Sequence, residues 1–489
     1  MSVRTLDIAA VRVPARSRPL AMLWRPTVAI VLLATVATPF LLQPWVTSDG
    51  IGHYSYVRSL VFDHDVDFRN EFAHYNTVSS RFGPPTLEGD EASPSRHVCL
   101  NPVIETPVRT ATGLTWNPWP VGSALLWAPF VLATWPIVEG LRTLGVQIAN
   151  DGYGLPYALA VGLGTVVYGV IGLVLCMQLC ARYFSSTASL LAVLATWFGS
   201  TFVFYLFVMP SYAHVNSMFA VTWFVWHWHR YFHDRATAPT GAAAFVLGLI
   251  GGLMMAVQWT NVTFLVTFGA LAARSVWTSA RPRGALGSLL RYGILLTAGW
   301  LVTFAPQLAV NKILYGGVLA DPQPPGFFSS LTSPHILGVL FSSDRGLVFW
   351  TPLVLVCLAG LAFCPRPARL LAGMLGLNFL LQLYINASVD TWTGDSAFGQ
   401  RRFTNLTLLF VLGLTALLAR LENTRDPAGR WLRPLRVALP AAFVVWNMLL
   451  IVQYVLWIAP HTGEYAIADL LRGQVAALRQ LGTVLRYVL

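Results

Sequence analysis

The sequence predicts an all-α polytopic membrane protein with about 11–13 transmembrane helices and a long first extracytoplasmic loop that carries interfacial helices. Of its 489 residues, 55% are hydrophobic and 11% are charged, whereas soluble domains carry about 25% charged residues. Apolar runs of about 20 residues recur along the chain, which is the length that a membrane-spanning helix needs. These runs are continuously apolar rather than alternating, so helices are favoured over a transmembrane β-barrel.

The chain begins with a basic segment, residues 1–26, which holds several arginines and one acid. Such a segment is typical of the cytoplasmic side of a membrane. The apolar run at 27–45 is too long for the core of a signal peptide, and no small-residue cleavage site follows it, so we predict a retained first helix. The polar loop 46–120 is then extracytoplasmic. Within it, the apolar spacing from Ile51 to Val61 predicts a helix that lies on the membrane surface.

Further apolar spans follow residue 154. They lie near 155–181, 187–205, 212–230, 241–257, 260–277, 289–309, 346–363, 368–387, 402–420 and 435–457. If the segment 121–139 adds no net crossing, the arginine-rich loops between these spans all fall in the cytoplasm, and if it crosses once the pattern inverts. We therefore predict that 121–154 crosses an even number of times or re-enters, and its prolines allow a broken helix.

This topology divides the chain into three parts. Residues 1–26 form the cytoplasmic N-terminus, and residues 27–420 form a transmembrane catalytic module. Residues 421–489 form a basic cytoplasmic loop, the last transmembrane helix and an extracytoplasmic tail. The tail, 464–489, reads as an amphipathic helix with its leucines on one side.

The positive charge excludes some classes of partner. The net charge of +11 rests almost wholly on arginine, since Lys312 is the only lysine. The arginines are spread through short loops rather than gathered on one domain, so no nucleic-acid partner is predicted. Of the five cysteines, only Cys99 lies in a long extramembrane loop, so no disulfide framework is indicated.

Acidic residues concentrate between Thr47 and Tyr75. Roughly a quarter of the 21 acids of the chain lie there, namely Asp49, Asp63, Asp65, Asp67 and Glu71. Asp49 directly follows the first span, where a helix C-terminus disfavours an acid. A functional carboxylate explains this placement, although a solvated turn residue is the alternative. The other acids are predicted to cap the interfacial helix or to hold an ion. A calcium-binding loop is not favoured, because the segment DHDVD lacks the glycine and the glutamate that such a loop requires.

Polar residues from several predicted loops meet on the extracytoplasmic face. We single out Asp49 as the catalytic group and predict that the donor is bound by His53, Tyr54, Arg58, His214, Lys312, Arg345, Asp395, Arg401 and Arg402. Arg401 and Arg402 oppose the positive-inside bias, which favours an anionic ligand, since guanidinium groups bind phosphate oxygens in pairs. The alternatives are flanking anchors for these arginines, a satisfied interface position for His214 and snorkelling for Lys312.

A carboxylate beside arginines at the membrane plane suggests transfer of a sugar from a lipid phosphate. Asp49 would take the proton of the acceptor hydroxyl, while Arg401 and Arg402 would stabilise the phosphate leaving group. A single base implies inversion, and a two-carboxylate glycosidase pair stays open. A transporter or flippase of lipid-linked glycans and a non-catalytic scaffold for envelope polysaccharide assembly are the rival functions. The chain shows no internal repeat of the kind that many transporters carry.

Three segments resemble a group of bacterial membrane proteins that are assigned to the C-type glycosyltransferase superfamily. They are SDGIGHYSYVRSLVFDHDVDF, FSSDRGLVFWTPL (341–353) and WTGDSAFGQRRF (392–403). The superfamily includes the protein O-mannosyltransferases and the lipid A aminoarabinose transferases, and the resemblance covers residues 27–420.

The resemblance implies a polyprenyl-phosphate-linked sugar as donor and Asp49 as the base. The acceptor would be a glycan, a lipid or a protein. The active site would face the extracytoplasmic side of the bacterial inner membrane. Metal dependence varies in the superfamily, so a divalent cation, Mg²⁺ or Mn²⁺, held by Asp49 and Glu71 is an open expectation.

Overall fold

The computed structural model describes residues 20–82, 101–234, 239–279, 282–422 and 432–488. Most of the predicted cytoplasmic N-terminus, Cys99 and part of the loop 46–120 lie outside these residues. The predicted all-α class is confirmed, since the described residues form helices and no β-strand. Within these ranges, six helices are long and apolar enough to cross a membrane, or seven if one bent pair counts as a single span. The larger predicted number of crossings stays a prediction.

Every predicted span overlaps a helix or a broken helix. The first half of the chain forms α1 (Leu20–Leu41), α2 (Asp49–Arg58), α3 (Arg69–Phe82), α4 (Pro102–Glu105), α5 (Gly122–Thr143), α6 (Leu155–Cys180), α7 (Ser186–Phe198), α8 (Thr201–Val203) and α9 (His214–Trp228). The second half forms α10 (Gly241–Val257), α11 (Val262–Trp277), α12 (Pro282–Tyr315), α13 (Ile336–Phe341), α14 (Leu347–Trp350), α15 (Leu353–Gly360), α16 (Arg369–Ala387), α17 (Thr407–Glu422), α18 (Leu435–Val455) and α19 (Ile467–Val488).

The centre of the bundle is α17. Most of it is buried, with 83% of its span inside the protein, whereas only 28% of α18 is inside. Its neighbours α6, α7, α9 and α15 contribute to the same large cluster of buried side chains, which contains Trp197, Phe204 and Trp350. A 3₁₀ turn, Arg401–Leu406, leads directly into α17. The two predicted donor-binding arginines are therefore attached to the most central helix.

The loops that were predicted to share one side of the membrane do meet on one face, which we call the Asp49 face. These loops are 46–120, 206–211, 258–260, 310–345 and 388–401. The backbone N–H of Thr47 donates to Ser211 Oγ at 3.3 Å. The Trp116 indole donates to the carbonyl of Pro322 at 2.9 Å. Contacts of this kind join loops that are far apart in the sequence.

The segment 120–151, which contains the helix α5, begins and ends beside α2. The helix is long and apolar enough to cross a membrane. Nevertheless, His53 Nδ1 lies 3.0 Å from the carbonyl oxygen of Pro120 just before α5. Beyond its far end, Arg58 Nε donates to the carbonyl of Asp151 at 3.0 Å. Both ends of this segment therefore contact α2, and the number of times that it crosses the membrane stays a prediction. The helix is unbroken at its internal prolines, so the break that they allow does not occur.

The predicted surface helix of the first loop forms, but it is buried in protein. It consists of α2 and a π-helical turn, Ser59–Asp63. Residues 50–58 are all buried, because α2 packs against α5 in a second apolar cluster. The side chains that join the two helices there include Ile51, Val57, Trp127 and Val131. The apolar side chains of α2 therefore contact protein rather than lipid, and the position of α2 relative to the membrane stays a prediction.

Small residues bring α10 and α12 into backbone contact. Gly248 on α10 lies so close to α12 that an added Cβ would be 2.0 Å from the carbonyl oxygen of Leu296. Gly299 on α12 is equally close to the carbonyl oxygen of Phe245, at 2.1 Å. Close backbone approach at small residues is a common way to pack helices in a membrane.

We expect Gly248→Ala to destabilise the protein by about 1–3 kcal/mol, since overpacking of a tight contact costs that much. The measurement is thermal unfolding of the purified protein in detergent. Gly269 on α11 is the matched control, because an added Cβ there would meet no atom within 4 Å. An equal loss of stability in Gly248→Ala and Gly269→Ala would show that the α10–α12 contact is not tight.

Candidate active site

Asp49 is the first residue of α2. The chain leaves α1 at Leu41 and reaches Asp49 through a non-helical stretch that ends at Ser48, whose φ of 48° lies in the left-handed region. Asp49 therefore lies at a helix N-terminus, where the helix dipole stabilises a carboxylate. The prediction that it follows a helix C-terminus is wrong, because the first helix ends well before it.

Both carboxylate oxygens of Asp49 have partners. Oδ2 is 2.8 Å from Nη2 of Arg401, and Oδ1 accepts a hydrogen bond from Nδ2 of Asn101 at 3.0 Å. The other side-chain atom of Asn101, Oδ1, accepts from the backbone N–H of Val103 at 3.1 Å and so caps α4. The cap fixes the amide of Asn101 with its NH₂ group toward Asp49. The carboxylate is thus held in one orientation from two directions.

The segment before α9 contacts the start of α2. Gly50 allows this contact, since an added Cβ would lie 2.1 Å from Ser211 Oγ. As a result, the neighbouring Tyr212 lies beneath the guanidinium of Arg401, with 5.1 Å between the guanidinium carbon and the ring centroid. Arg401 is therefore held by a carboxylate on one side and an aromatic face on the other, which is a strong position for a cation.

Two histidines lie next to this ion pair. His214 opens α9, with its ring centroid 5.0 Å from that of Tyr205 and 5.9 Å from that of Tyr212. Both of its ring nitrogens are buried and have no hydrogen-bond partner. His53 lies within electrostatic reach of Asp49 and Arg401, and burial lowers the pKa of its ring to about 4. The site therefore contains a neutral His53 and, in His214, unused hydrogen-bonding capacity.

Arg402 has no carboxylate partner. Its Nη2 donates to Thr391 Oγ1 at 2.8 Å, while Nη1 is buried without an acceptor. Among the described residues, no ion pair includes Arg402, whereas Arg401 is paired with Asp49. A buried guanidinium nitrogen without an acceptor is costly. The two neighbouring arginines thus differ, since one is neutralised and the other is available to an anion.

A chain of buried amides fixes the turn that carries both arginines. Asn405, in this turn, donates to Asn261 Oδ1 at 2.7 Å and to Gln382 Oε1 at 2.9 Å. Asn261 in turn donates to Ser217 Oγ at 2.8 Å. These contacts connect the turn to α9, to the break between α10 and α11, and to α16. Asn261 therefore orients the arginine turn.

Arg58 and Tyr54 belong to a separate cluster. Arg58 is ion-paired with Asp63 and with Glu71, the latter at 3.0 Å. Tyr54 donates its hydroxyl to the carbonyl of Gly152 at 2.6 Å. Both contacts hold α2, α3 and the loop after α5 together. The structure therefore does not bring Arg58 and Tyr54 to the predicted donor site.

The predicted metal pair does not form. Glu71 contacts Arg58, the last residue of α2, whereas Asp49 is the first residue of the same helix. A rise of 1.5 Å per residue places the backbones of Asp49 and Arg58 about 13 Å apart. In the part of the chain that the structure describes, no group of three or more His, Cys, Asp or Glu side chains could hold a metal ion. The expectation of a cation shared by Asp49 and Glu71 is wrong, because each carboxylate is paired with a different arginine.

Glu71 gives a pH-dependent stability. Its side chain is fully buried, and burial raises its pKa to about 7 despite the hydrogen bond from Arg58. An acid whose pKa is raised in the folded state loses its proton earlier in the unfolded state, so the protein loses stability as pH rises from about 4.5 to about 7.

We expect the thermal midpoint in detergent to decrease as the pH is raised from about 5 to about 8. The decrease should be smaller in Glu71→Gln, and the difference corresponds to about 1–3 kcal/mol in the free energy of unfolding. The exposed Asp469→Asn variant is the control and should behave like the wild type. A pH dependence that is identical in Glu71→Gln and the wild type would contradict the assignment to Glu71.

The remaining predicted residues lie at different distances from the ion pair. Lys312 Nζ donates to the carbonyl of Gly316 at 2.8 Å and so caps α12. Arg345 donates to the carbonyl of Pro460 at 3.1 Å and has a fully buried side chain, so it serves the fold. Asp395 is exposed and has a positive φ of 55°. It lies within electrostatic reach of both site arginines, so it alone of these three borders the site.

Sequence reasoning missed two contacts of the site, Asn101 and Thr391, and it placed Tyr212 on this face without giving it a role. Asn101 left no signal in the sequence, because it contacts Asp49 from 52 residues away. Thr391 is one of several hydroxyl side chains in its loop. Hydrogen-bond partners of this kind depend on loop geometry and leave no spacing pattern.

Comparisons with known proteins add no constraint. No protein-family model, no curated protein and no solved structure matches the chain. The chemistry must therefore be inferred from the site itself. It combines an oriented carboxylate, a cation paired with it, a second cation with one buried nitrogen that has no acceptor, and a histidine with unpaired nitrogens. Such a set can take a proton and hold an anion side by side.

Proposed function

We propose that the protein is an inverting glycosyltransferase that moves a sugar from a polyprenyl-phosphate donor to a hydroxyl group of a glycan, lipid or protein. The site would face the extracytoplasmic side of a bacterial inner membrane, and Asp49 would be the general base. Arg402, together with Arg401, would hold the phosphate of the donor. The apolar helices around the site supply the environment that a polyprenyl chain requires.

The reaction is a single displacement. The acceptor oxygen attacks the anomeric carbon as the bond between that carbon and the phosphate oxygen breaks. The bonding electrons pass to the phosphate oxygen, where the arginines stabilise the charge. The proton of the acceptor hydroxyl passes to a carboxylate oxygen of Asp49. Since one carboxylate acts and no covalent sugar intermediate forms, the anomeric configuration inverts.

The ion pair between Asp49 and Arg401 suits this sequence of events. In the free protein, Arg401 neutralises Asp49, and their contact is 2.8 Å. A donor phosphate that binds Arg402 also attracts Arg401, because guanidinium groups form strong bonds with phosphate oxygens. Arg401 would then be shared between the carboxylate and the phosphate. This sharing frees Asp49 to accept a proton only when the donor is present.

The observation that carries the proposal is the shielded Nη1 of Arg402, which has no acceptor within the described part of the chain. An ion pair such as Asp49–Arg401 is common in proteins that bind nothing, whereas a buried guanidinium nitrogen beside it without an acceptor needs an explanation. A phosphate supplies the missing negative charge and several acceptor oxygens. Unpartnered His214 nitrogens nearby offer further hydrogen bonds to the sugar or the phosphate.

The test is transfer by the purified protein in lipid nanodiscs. A panel of labelled polyprenyl-phosphate sugars is supplied with cell-envelope extract as the source of acceptors. We expect label to pass to an acceptor, with release of polyprenyl phosphate and inversion of the anomeric centre. Movement of intact donor across a liposome bilayer, without cleavage of its sugar–phosphate bond, would instead support a flippase. A panel that is neither cleaved nor bound would contradict the proposal.

A further inference from the structure

The last helix, α19, has an exposed apolar face that no other described part of the chain covers. Its side chains are between 38% and 66% exposed, and they are Ile467, Leu471, Val475, Leu478 and Leu481. Steps of three and four residues place these five side chains within an arc of about 120° on a helix with 3.6 residues per turn. They form one continuous stripe, which we call the α19 stripe.

The rest of α19 divides into a packed face and a polar face. The packed face contacts α18, where Gln474 Nε2 donates to the carbonyl of Trp446 at 3.3 Å and Gly473 lies against Gln453. The polar face contains Arg472, whose side chain is 80% exposed and lies 3.0 Å from Asp469. The α19 stripe lies between the two, since it adjoins the packed face on one side and the polar face on the other. This division is typical of a helix that lies in a membrane surface.

We propose that the α19 stripe binds the lipid surface of the membrane on the Asp49 face, with Arg472 among the lipid phosphates. The lipid surface continues from the neighbouring helix, since α18 is long and apolar enough to cross a membrane. Its exposed side chains, Val445 and Val455, are apolar, as lipid contact requires. Arginine on the polar side is the charge that attracts anionic headgroups. Lipid therefore accounts for both exposed faces of α19.

The beginning of α19 is fixed on the Asp49 face. The backbone N–H of Tyr465, just before α19, donates to the carbonyl of Ser343 at 3.3 Å. Arg345 holds the preceding segment, and its guanidinium carbon lies 4.7 Å from the ring centroid of Trp350. At the end of α18, the Tyr454 hydroxyl donates to the carbonyl of Ser396 at 3.1 Å, in the loop that leads to the site arginines. The membrane contact of α19 thereby sets the height of this loop above the lipid.

Site-directed spin labels test the proposal on the full-length protein. Single cysteines replace Val475 on the α19 stripe and Arg472 on the polar face, in a Cys99→Ser background. The other four cysteines are buried, so they do not take up label. Each labelled protein is placed in nanodiscs of phosphatidylethanolamine and phosphatidylglycerol, and its collisions with oxygen and with a water-soluble nickel chelate are measured. Oxygen concentrates in lipid, and the chelate stays in water.

We expect the label in place of Val475 to collide more with oxygen than with the chelate, by several-fold, and the label in place of Arg472 to show the reverse. Equal access of the chelate to both positions would overturn the proposal, because the stripe would then face water. Dipolar broadening in the singly labelled Val475→Cys protein would also overturn it, since a second copy of the chain would then cover the stripe. Neither outcome depends on a transfer activity.

Discussion

Replacing Asp49 with asparagine is expected to reduce sugar transfer by about 10²- to 10⁴-fold, which is the contribution of a well-placed general base. Asparagine keeps the shape of the side chain and can still accept the hydrogen bond of Asn101, which lies 3.0 Å from Oδ1. It cannot accept a proton from a hydroxyl. The loss of transfer should therefore fall on kcat. The thermal midpoint should also fall, because Arg401 is left without its carboxylate partner at 2.8 Å. The measurement is transfer of labelled sugar under donor saturation.

The same substitution makes a second, opposite prediction. Arg401 loses its carboxylate partner in Asp49→Asn, so its full charge becomes available to a donor phosphate. Binding of polyprenyl phosphate should therefore be unchanged or tighter while transfer falls. A residue that only supports the fold would weaken both. The control is Asp321→Asn, which removes an exposed carboxylate that caps a turn elsewhere on the Asp49 face. Undiminished transfer by Asp49→Asn would remove Asp49 as the base.

Asp49 also illustrates what could be predicted from sequence. It was singled out because acids are concentrated near it in an acid-poor chain, and the distribution of arginine in the loops predicted which residues would share its face. The identity of its partner did not follow, because the contact with Arg401 joins two ends of the chain through packing of α2 against the segment at Ser211. That packing depends on Gly50, where a Cβ would lie 2.1 Å from Ser211 Oγ. No periodic pattern encodes such a contact.

The helices themselves were predictable for a simple physical reason. Backbone groups in lipid must be satisfied within the segment, so a long apolar run can only be a helix. The same rule does not specify which apolar helix contacts lipid. The segment after Ile51 was assigned to the membrane surface from its spacing, whereas Gly50–Arg58 proved to be buried in protein. Apolar side chains are needed for either contact, and only the packing of α5 distinguishes them.

The grouping of the predicted cations shows the same limit. Arg58, Arg345, Arg401 and Arg402 were all assigned to the donor from sequence, since all four fall in loops on one face. The structure pairs Arg58 with Glu71 at 3.0 Å and hydrogen-bonds Arg345 to the carbonyl of Pro460 at 3.1 Å. Charge in a loop does not reveal whether an acceptor is already at hand. The hydrogen bonds and ion pairs of each arginine in the structure are needed to distinguish an arginine that supports the fold from one that can bind a ligand.

Replacing Arg402 with glutamine is expected to weaken the binding of polyprenyl phosphate by about 10- to 100-fold, since hydrogen bonds to charged groups are worth about 1.5–3 kcal/mol. The neutral lipid polyprenol should bind equally to the variant and the wild type, because the arginine contacts only the phosphate. Titration of both lipids into protein in nanodiscs measures the difference directly. The exposed Arg109→Gln variant is the matched control, since Arg109 makes only a local contact with its own loop.

Stability separates a ligand-binding arginine from a structural one at this position. If Arg402 serves to bind an anion, Arg402→Gln removes a cation that has no carboxylate in contact with it. The thermal midpoint of the free protein should then not fall. By contrast, Arg401→Gln leaves Asp49 without its partner at 2.8 Å, and the midpoint should fall, because a shielded charge left unpaired costs about 3–5 kcal/mol. Two results together would overturn the assignment of Arg402 to the phosphate. They are an equal loss of stability in both variants and binding of polyprenyl phosphate to Arg402→Gln that is as tight as its binding to the wild type.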